Sequence, residues 1–346
     1  MTLAKEGIDV NLVISHDKNE VVEGVNIVAL SQRKNRLYRV VIKTTAAFFK
    51  ALKTKSKIFH LHDPELIFIG FLLRILGKKV VYDMHELVYF QIRDKEWLGL
   101  KWMRNVAAKI YRFFESVGVR VFDKIVLAED GYKSYFVKNY PKRLNKIVYV
   151  RNYPRFDQIR KGFESKQVND KLVLIYAGGL TKIRGIKEVC DAVKDLSDVE
   201  LKLMGTWQDE EYKISCLKNN KNVKDFGLLP LPEVYKKIHQ ADIGLSTLYP
   251  VQNYLTSLPV KSFEYMACAV PILMSDFPFW KSTYKECAVF VDPTSVDEIK
   301  EKVIWCKKNR EQLKRLGENG YQIGKKKYRW VSELNQLVEV YKQITD

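Results

Sequence analysis

The sequence predicts an α/β protein made of two doubly wound domains. Three observations carry this. Short apolar runs alternate with longer segments of helical spacing along nearly the whole chain, the pattern of parallel sheets covered by helices. The alternation comes in two series, divided by the polar segment Arg151–Lys171, with Asn152, Pro154 and a charged run to Asp170. The 346 residues, 47% of them hydrophobic, are enough for two full cores. The first domain is accordingly placed at residues 1–160 and the second at 171–328.

Taken in order, Val10–Ile14 and Val25–Leu30 read as strands. Arg33–Lys57 is helical in pattern and holds nine Lys or Arg with no acidic residue. Ile58–His62 is a short strand, Pro64–Leu76 an apolar helix, and Lys79–Asp83 a strand. From Trp102 to Val117 a helix carries Trp102, Val106, Ile110, Phe113 and Val117 on one stripe, which is read as core facing. Lys124–Ala128 and Lys146–Val150 complete the strands of the first half. In the second half Leu172–Ala177, Val199–Met204, Ile243–Thr247, Ile272–Met274 and Val289–Val291 are strands. Helices are expected at Ile186–Leu196 and Glu233–Ala241, from Val296, and from Trp330 to Ile344. A doubly wound domain normally opens with a strand and a tight glycine turn. Here Leu3 to Gly7 looks like the end of a helix, so the first strand of the N-terminal domain is expected to be missing.

The formal charge of +18 and a pI near 9.4 favour an anionic partner: nucleic acid, an acidic membrane surface or a phosphorylated substrate. The five cysteines are odd in number and show no C-x-x-C spacing, which fits a reducing compartment and neither zinc nor disulfides. No signal peptide is visible, and the longest apolar run, Leu66–Leu76, is interrupted by Arg74 and too short to span a bilayer. A cytoplasmic protein is expected, with a membrane surface as one place of attachment.

Three segments could carry chemistry. In Ser257–Asp276 (SLPVKSFEYMACAVPILMSD), Pro259 suits the first turn of a helix that Thr256 or Ser257 could cap. The free N–H groups of that helix, with Lys261 in its first turn, would make an anion site. Glu264, less than one turn on, would suit a ribose diol. The same residues read equally well as a capped core helix with a buried Glu. The loop Tyr176–Gly185 (YAGGLTKIRG) joins a strand to a helix. Gly178 and Gly179 allow close approach to an anion, and Arg184 can reach a diphosphate. It is neither a Walker loop nor the dinucleotide fingerprint, and a plain strand-to-helix turn is the alternative. In Asp83-Met-His-Glu86, at a strand end, His85 can donate to a sugar hydroxyl or stabilise charge at a reacting carbon. Glu86 can act as a base. His62 and Asp63 end a neighbouring strand. No D-x-D triplet occurs, so no essential metal and no cofactor are expected. The basic Arg33–Lys57 region, interleaved with Tyr38, Phe48 and Phe49, fits a lipid surface or an ordinary solvated face.

Together these segments resemble the retaining glycosyltransferases of family 4, which have the GT-B fold. The carriers are Gly178–Gly185, Pro259–Met266, Ala269–Asp276, Val291–Pro293 and the closing Tyr328-Arg-Trp330 helix, in that order and spacing. The resemblance implies two Rossmann-like domains facing a cleft, with donor on the second and acceptor on the first, and a final helix, 329–345, packing back on the first. It implies that His85, Arg184 and Lys261 serve catalysis. The donor would be bound by Gly178, Gly179, Lys182, Arg184, Asp225, Leu228, Thr256, Ser257, Lys261 and Glu264. Asp225–Leu228 looks like the base-binding edge, and His62, Asp63 and Glu86 would lie on the acceptor side. Two departures stand out. Gly179 sits where many members have a second Arg, for which Lys182 or Lys261 would substitute. Thr256 falls where the family has the first Glu of its E-x7-E motif, so Asn253–Ser257 would act there through backbone N–H groups.

The implied reaction moves a sugar from a nucleoside diphosphate to an acceptor hydroxyl, with retention, in bacterial cell-surface polysaccharide or lipopolysaccharide assembly. The partners would be a nucleotide sugar, a glycan or lipid-linked acceptor, and an anionic membrane surface at the inner face of the plasma membrane. A catalytically degenerate nucleotide-binding scaffold of the same fold is the alternative. Nucleic acid is not expected as a partner, because no recognition motif accompanies the charge.

Overall fold

The computed structural model describes residues 1–32, 42–94, 99–159 and 170–345. The chain divides into two compact units, Met1–Arg151 with Val331–Asp346, and Asn152–Trp330. The division falls at the start of the polar segment, so Tyr153 and Phe156 pack with the second unit's core.

In the first unit a short helix, Thr2–Lys5, precedes β1 (Val10–Ser15). The strands β2 (Glu20–Val22) and β3 (Val25–Leu30) join β1 in a three-stranded sheet of order β1-β3-β2, with β2 antiparallel. A separate parallel sheet holds β4 (Ile58–Leu61), β5 (Lys79–Met84), β6 (Lys124–Leu127) and β7 (Ile147–Tyr149), in that order. One face is covered by the helices Ile67–Ile75 and Lys101–Val121, where Leu73, Val119 and Phe122 pack on Val80, Tyr82 and Ile125. The other face takes the C-terminal helix Trp330–Thr345, whose Leu337, Val340 and Ile344 pack on Val81 and Val126. The alternation of β5 and β6 sends successive side chains to these two faces, so both must be apolar.

Two expectations need correction here. The helix over Lys101–Val121 forms, but the Trp102 stripe is not core. Trp102 is 64% exposed, Phe113 63%, Ile110 54% and Val106 49%. The side turned inward carries Ala108, Glu115, Gly118 and Val119 instead. Glu115 survives burial because Tyr135 and Tyr140 donate to its Oε1 at 2.6 and 2.7 Å. Of the basic Arg33–Lys57 segment, residues 33–41, with Tyr38, lie outside the described residues. The rest forms a helix over Thr44–Lys53, on which Phe49 is exposed and Phe48 packs against the core.

The second unit is one sheet of six parallel strands: β8 (Leu172–Ala177), β9 (Val199–Met204), β10 (Val223–Asp225), β11 (Ile243–Ser246), β12 (Ile272–Ser275) and β13 (Ala288–Val291). Their order is β10-β9-β8-β11-β12-β13. Val173 and Ile175 of β8 enter one core, with Tyr265, Met266 and Trp280. Leu172, Leu174 and Tyr176 enter the other, with Val189, Val193 and Ile299. The order reverses between β8 and β11. In open α/β sheets, the crevice beyond the carboxyl ends of such a pair is where ligands bind.

Candidate active site

The segments singled out in the second half meet at that crevice. Gly178 and Gly179 follow β8, and Thr247 follows β11. Gly178 has φ +140°, a conformation that residues other than glycine rarely adopt, and Lys261 Nζ lies 2.1 Å from where a Cβ would stand. A Cβ at Gly205, after β9, would fall 1.8 Å from the Gly178 carbonyl oxygen. Thr247 Oγ1 donates to the Arg184 carbonyl at 3.2 Å and ties the two loops together.

Lys261 lies in the first turn of the helix Val260–Ala267. The helix forms as expected, but its capping differs. Pro259 is the N-cap residue and no side chain caps it. Ser257 is buried, with its carbonyl accepting from Trp280 Nε1 at 2.7 Å, and Thr256 is exposed. The first N–H groups of a helix have no intrahelical partner; here Ser262 N–H donates to the Pro259 carbonyl at 2.9 Å, which leaves those of Val260 and Lys261 to meet an acceptor oxygen. At the other end Ala269 takes the left-handed conformation with φ +56°, while Val270 N–H donates to the Tyr265 carbonyl at 2.9 Å. The chain turns there without glycine and enters β12.

Two cations converge. Lys261 Nζ lies 5.3 Å from the Tyr176 ring centre, and Arg184 Cζ 5.5 Å from that of Tyr254. Burial pushes the Lys261 ammonium below its ordinary range; Glu264 opposes the shift, and the Arg184 charge adds to it. Glu264 is half-buried, accepts from Tyr235 Oη at 3.3 Å, and is raised by burial against the offsetting effects of Lys261 and Tyr235. Like charges held together in a partly dry site are costly unless an anion joins them. The three tyrosines went unnoticed in the sequence. Tyr176 sits at the end of an apolar strand and nothing in its spacing distinguishes it from core.

The remaining residues expected to bind donor fall unevenly. Lys182 is exposed in the turn Lys182–Arg184, with its N–H donating to Gln208 Oε1 at 3.3 Å. Gly179 is open, with a Cβ there meeting nothing closer than 3.9 Å. Asp225 ends β10, but its carboxylate accepts from Trp207 Nε1 at 2.9 Å and Gly227 N–H at 3.0 Å, and lies 3.4 Å from Lys213. These contacts hold the loop, and Leu228, 78% exposed, lies at the surface.

In the first unit, β4 and β5 pair with Leu61 opposite Tyr82. This register sets His60 and His62 beside Asp83 and His85 on one side of the sheet. Asp83 Oδ2 lies 3.1 Å from His62 Nδ1, 3.3 Å from His85 Nε2 and 3.6 Å from His60 Nε2. Burial alone would raise the Asp83 carboxyl, but the surrounding imidazoles hold it well below the usual carboxylate range. The bond to Asp83 raises His85 in turn, against the opposing effect of burial. Asp63 and Glu86 are exposed.

These geometries can be set beside known proteins. Residues 157–323 match the family described as Glycosyl transferases group 1. No curated protein sequence matches the chain. Among solved structures, a sucrose-phosphate synthase from Thermosynechococcus elongatus superposes with a TM-score of 0.78 at 15% identity, covering 99% of this chain and 90% of that one. Anabaena Alr3699/HepE, solved with UDP and glucose, gives 0.69 at 13% identity over 92% and 87%. A UDP-forming α,α-trehalose-phosphate synthase from Burkholderia xenovorans gives 0.68 at 11% identity over 95% and 90%. The fold is GT-B, with a Rossmann-like organisation. The family match and the fold together support a GT-B glycosyltransferase. Among the described residues no helix is long and apolar enough to cross a membrane.

Proposed function

We propose that the chain transfers a sugar from a nucleoside diphosphate to an acceptor hydroxyl with retention of anomeric configuration. The observation that carries this is Lys261, in the first turn of its helix, set against Gly178, with the Arg184 charge near enough to disfavour its ammonium and Glu264 less than one turn on. The two cations and the helix N–H groups bind the diphosphate and stabilise the charge that develops on it as the glycosidic bond breaks. The arriving anion offsets the burial and the Arg184 charge that together disfavour the Lys261 ammonium. Glu264 accepts from the ribose hydroxyls. His85, 3.3 Å from Asp83 in the first unit, would take the sugar-side role that the resemblance of the sequence implies, donating to a sugar hydroxyl. The acceptor hydroxyl attacks from the leaving-group side and passes its proton to the diphosphate oxygen, so no protein nucleophile is needed. With charge neutralised by side chains, transfer proceeds without a metal at the diphosphate. The UDP-bound and UDP-forming relatives make UDP the first donor nucleotide to try.

The acceptor assignment rests on a different surface. The exposed apolar stripe of the Lys101–Val121 helix is accompanied by exposed Lys101, Lys109, Arg112 and Arg120. Such a face suits the inner surface of an anionic membrane and a lipid-linked acceptor in surface polysaccharide assembly. One observation favours the degenerate scaffold: Thr256, where the family has its first Glu, is an exposed side chain with no carboxylate to offer.

The test is incubation with UDP-, GDP- and ADP-sugars, with and without chelator, and assignment of the product anomer by NMR. Transfer or slow donor hydrolysis that chelator does not abolish, retaining the anomer, is expected. Nucleotide binding with no turnover of any donor would favour the scaffold, and inversion would remove the mechanism.

A further inference from the structure

Three of the chain's five histidines converge on one buried aspartate, which is more than an orienting role for His85 requires. A carboxylate oxygen has two lone pairs, yet three ring nitrogens face Asp83 Oδ2. The consequence is visible. At 3.6 Å the His60 contact is too long for a hydrogen bond, and His60 Nε2 and Asp83 Oδ1 are both buried without a hydrogen-bond partner. His60 Nδ1 is engaged by Tyr341 Oη at 2.6 Å, which fixes the ring with Nε2 turned to the cluster. His62 Nδ1 and His85 Nε2 are 3.4 Å apart.

We propose that His60, His62 and Asp83, with His85 beside them, form a binding site for a divalent transition-metal ion of the zinc class. His60, His62 and Asp83 each offer one ligand atom, all within 4.8 Å of one another. Zinc binds imidazole nitrogen and carboxylate oxygen at about 2.0–2.1 Å in tetrahedral geometry, which sets neighbouring ligand atoms about 3.3 Å apart. The separations of 3.1, 3.3, 3.4 and 3.6 Å bracket that value. Imidazole donors select zinc-like ions over magnesium and calcium, and the Tyr341 contact is the outer-shell partner that such ligands carry. His62 is 54% exposed at its side chain, which gives an ion a way in. The site deepens the reading above, because His85 is its sugar-side residue: an ion held here would occupy His85 Nε2 and slow transfer.

Cobalt(II), a spectroscopic stand-in for zinc, tests the site without donor or acceptor. Purified full-length protein titrated with cobalt should develop the visible absorption of a tetrahedral nitrogen and oxygen site at one ion per chain, bleached by added zinc. His62→Ala, at an exposed position that leaves the fold intact, should weaken cobalt binding at least about tenfold. His60→Gln should do the same, with unchanged far-UV circular dichroism as the check on folding. No tetrahedral spectrum, or one of equal affinity in His62→Ala, overturns the proposal. Either result leaves nucleotide-sugar binding at Glu264 untouched, so the two readings fail separately.

Discussion

The strands β8 and β1 show how differently the two units are built. Every residue of β8 (LVLIYA) is buried, in the middle of six parallel strands with a core on each face. No residue of β1 (VNLVIS) is buried, and Leu12 and Ile14 are 40% and 44% exposed. Among the described residues, the first unit divides its strands between two sheets, where the second has one. A diphosphate site needs donors fixed to fractions of an ångström, and that calls for a closed, over-determined scaffold. The second unit supplies such a scaffold at the ends of β8 and β11, where the diphosphate site is proposed. The first unit instead leaves apolar and basic surface open, as on the Lys101–Val121 helix, where a partner other than its own core can sit.

The second unit is tightly packed at β11. Gly244 of β11 faces the fully buried Tyr265 ring, and a Cβ there would fall 2.4–2.5 Å from three ring atoms. Gly244→Ala should cost about 1–3 kcal/mol of stability, measured by urea unfolding, because neither the strand nor the ring can move aside. A near-neutral result would mean that the second unit is looser than described. Next comes the site. Lys261→Met removes one charged donor from the diphosphate and should weaken nucleotide-sugar binding about 10- to 100-fold by calorimetry. The same change should raise the stability of the unliganded protein, since a buried ammonium is replaced by an apolar chain.

Glu264→Gln sharpens the same contrast through pH. Burial raises the Glu264 carboxyl above its ordinary 4.5 in the folded protein. The folded state therefore holds this proton more tightly than the unfolded one. That contribution is fully present below 4.5 and is lost as pH rises through the folded value. Unliganded wild type and Glu264→Gln should melt alike in acid, with the variant gaining the advantage as pH rises and keeping it at neutrality. A variant less stable at neutral pH would show the carboxylate to be structural. A smaller gain is expected at Ala269, where a non-glycine residue holds φ +56°. Ala269→Gly should stabilise by roughly 0.5–1 kcal/mol in thermal melts. The smallest effect belongs to the first unit: Leu12→Ser should change stability by no more than about 0.5 kcal/mol.

Much of the fold was legible because buried parallel strands write themselves as apolar runs. Val25–Leu30 and Val199–Met204 have the bounds that their spacing indicates. Glu20–Val22 was not legible, being a three-residue edge strand with no buried residue. The Trp102 stripe shows a deeper limit. Periodicity reports that a helix has an apolar face, not that the protein itself covers that face. Here the covered side is written in small residues, Ala108 and Gly118, and in a Glu made tolerable by two tyrosines more than 15 positions away. The Gly178–Gly185 loop and Lys261–Glu264 were visible as glycines, charge and helix start. Their mutual contact was not, since Gly178 and Lys261 are brought together only by the order of β8 and β11. The same holds for the histidine cluster. H-x-H ending one strand and D-x-H ending another mean little until the register sets Leu61 opposite Tyr82.

The most direct measurement is thermal stabilisation of the wild-type protein and Glu264→Ala by a panel of UDP-, GDP- and ADP-sugars. A rise in melting temperature with sugars of one nucleotide, abolished in Glu264→Ala, is the expected result and names the donor base. No shift with any donor in folded wild-type protein, or an equal shift in Glu264→Ala, would contradict a donor site built on Gly178, Arg184, Lys261 and Glu264.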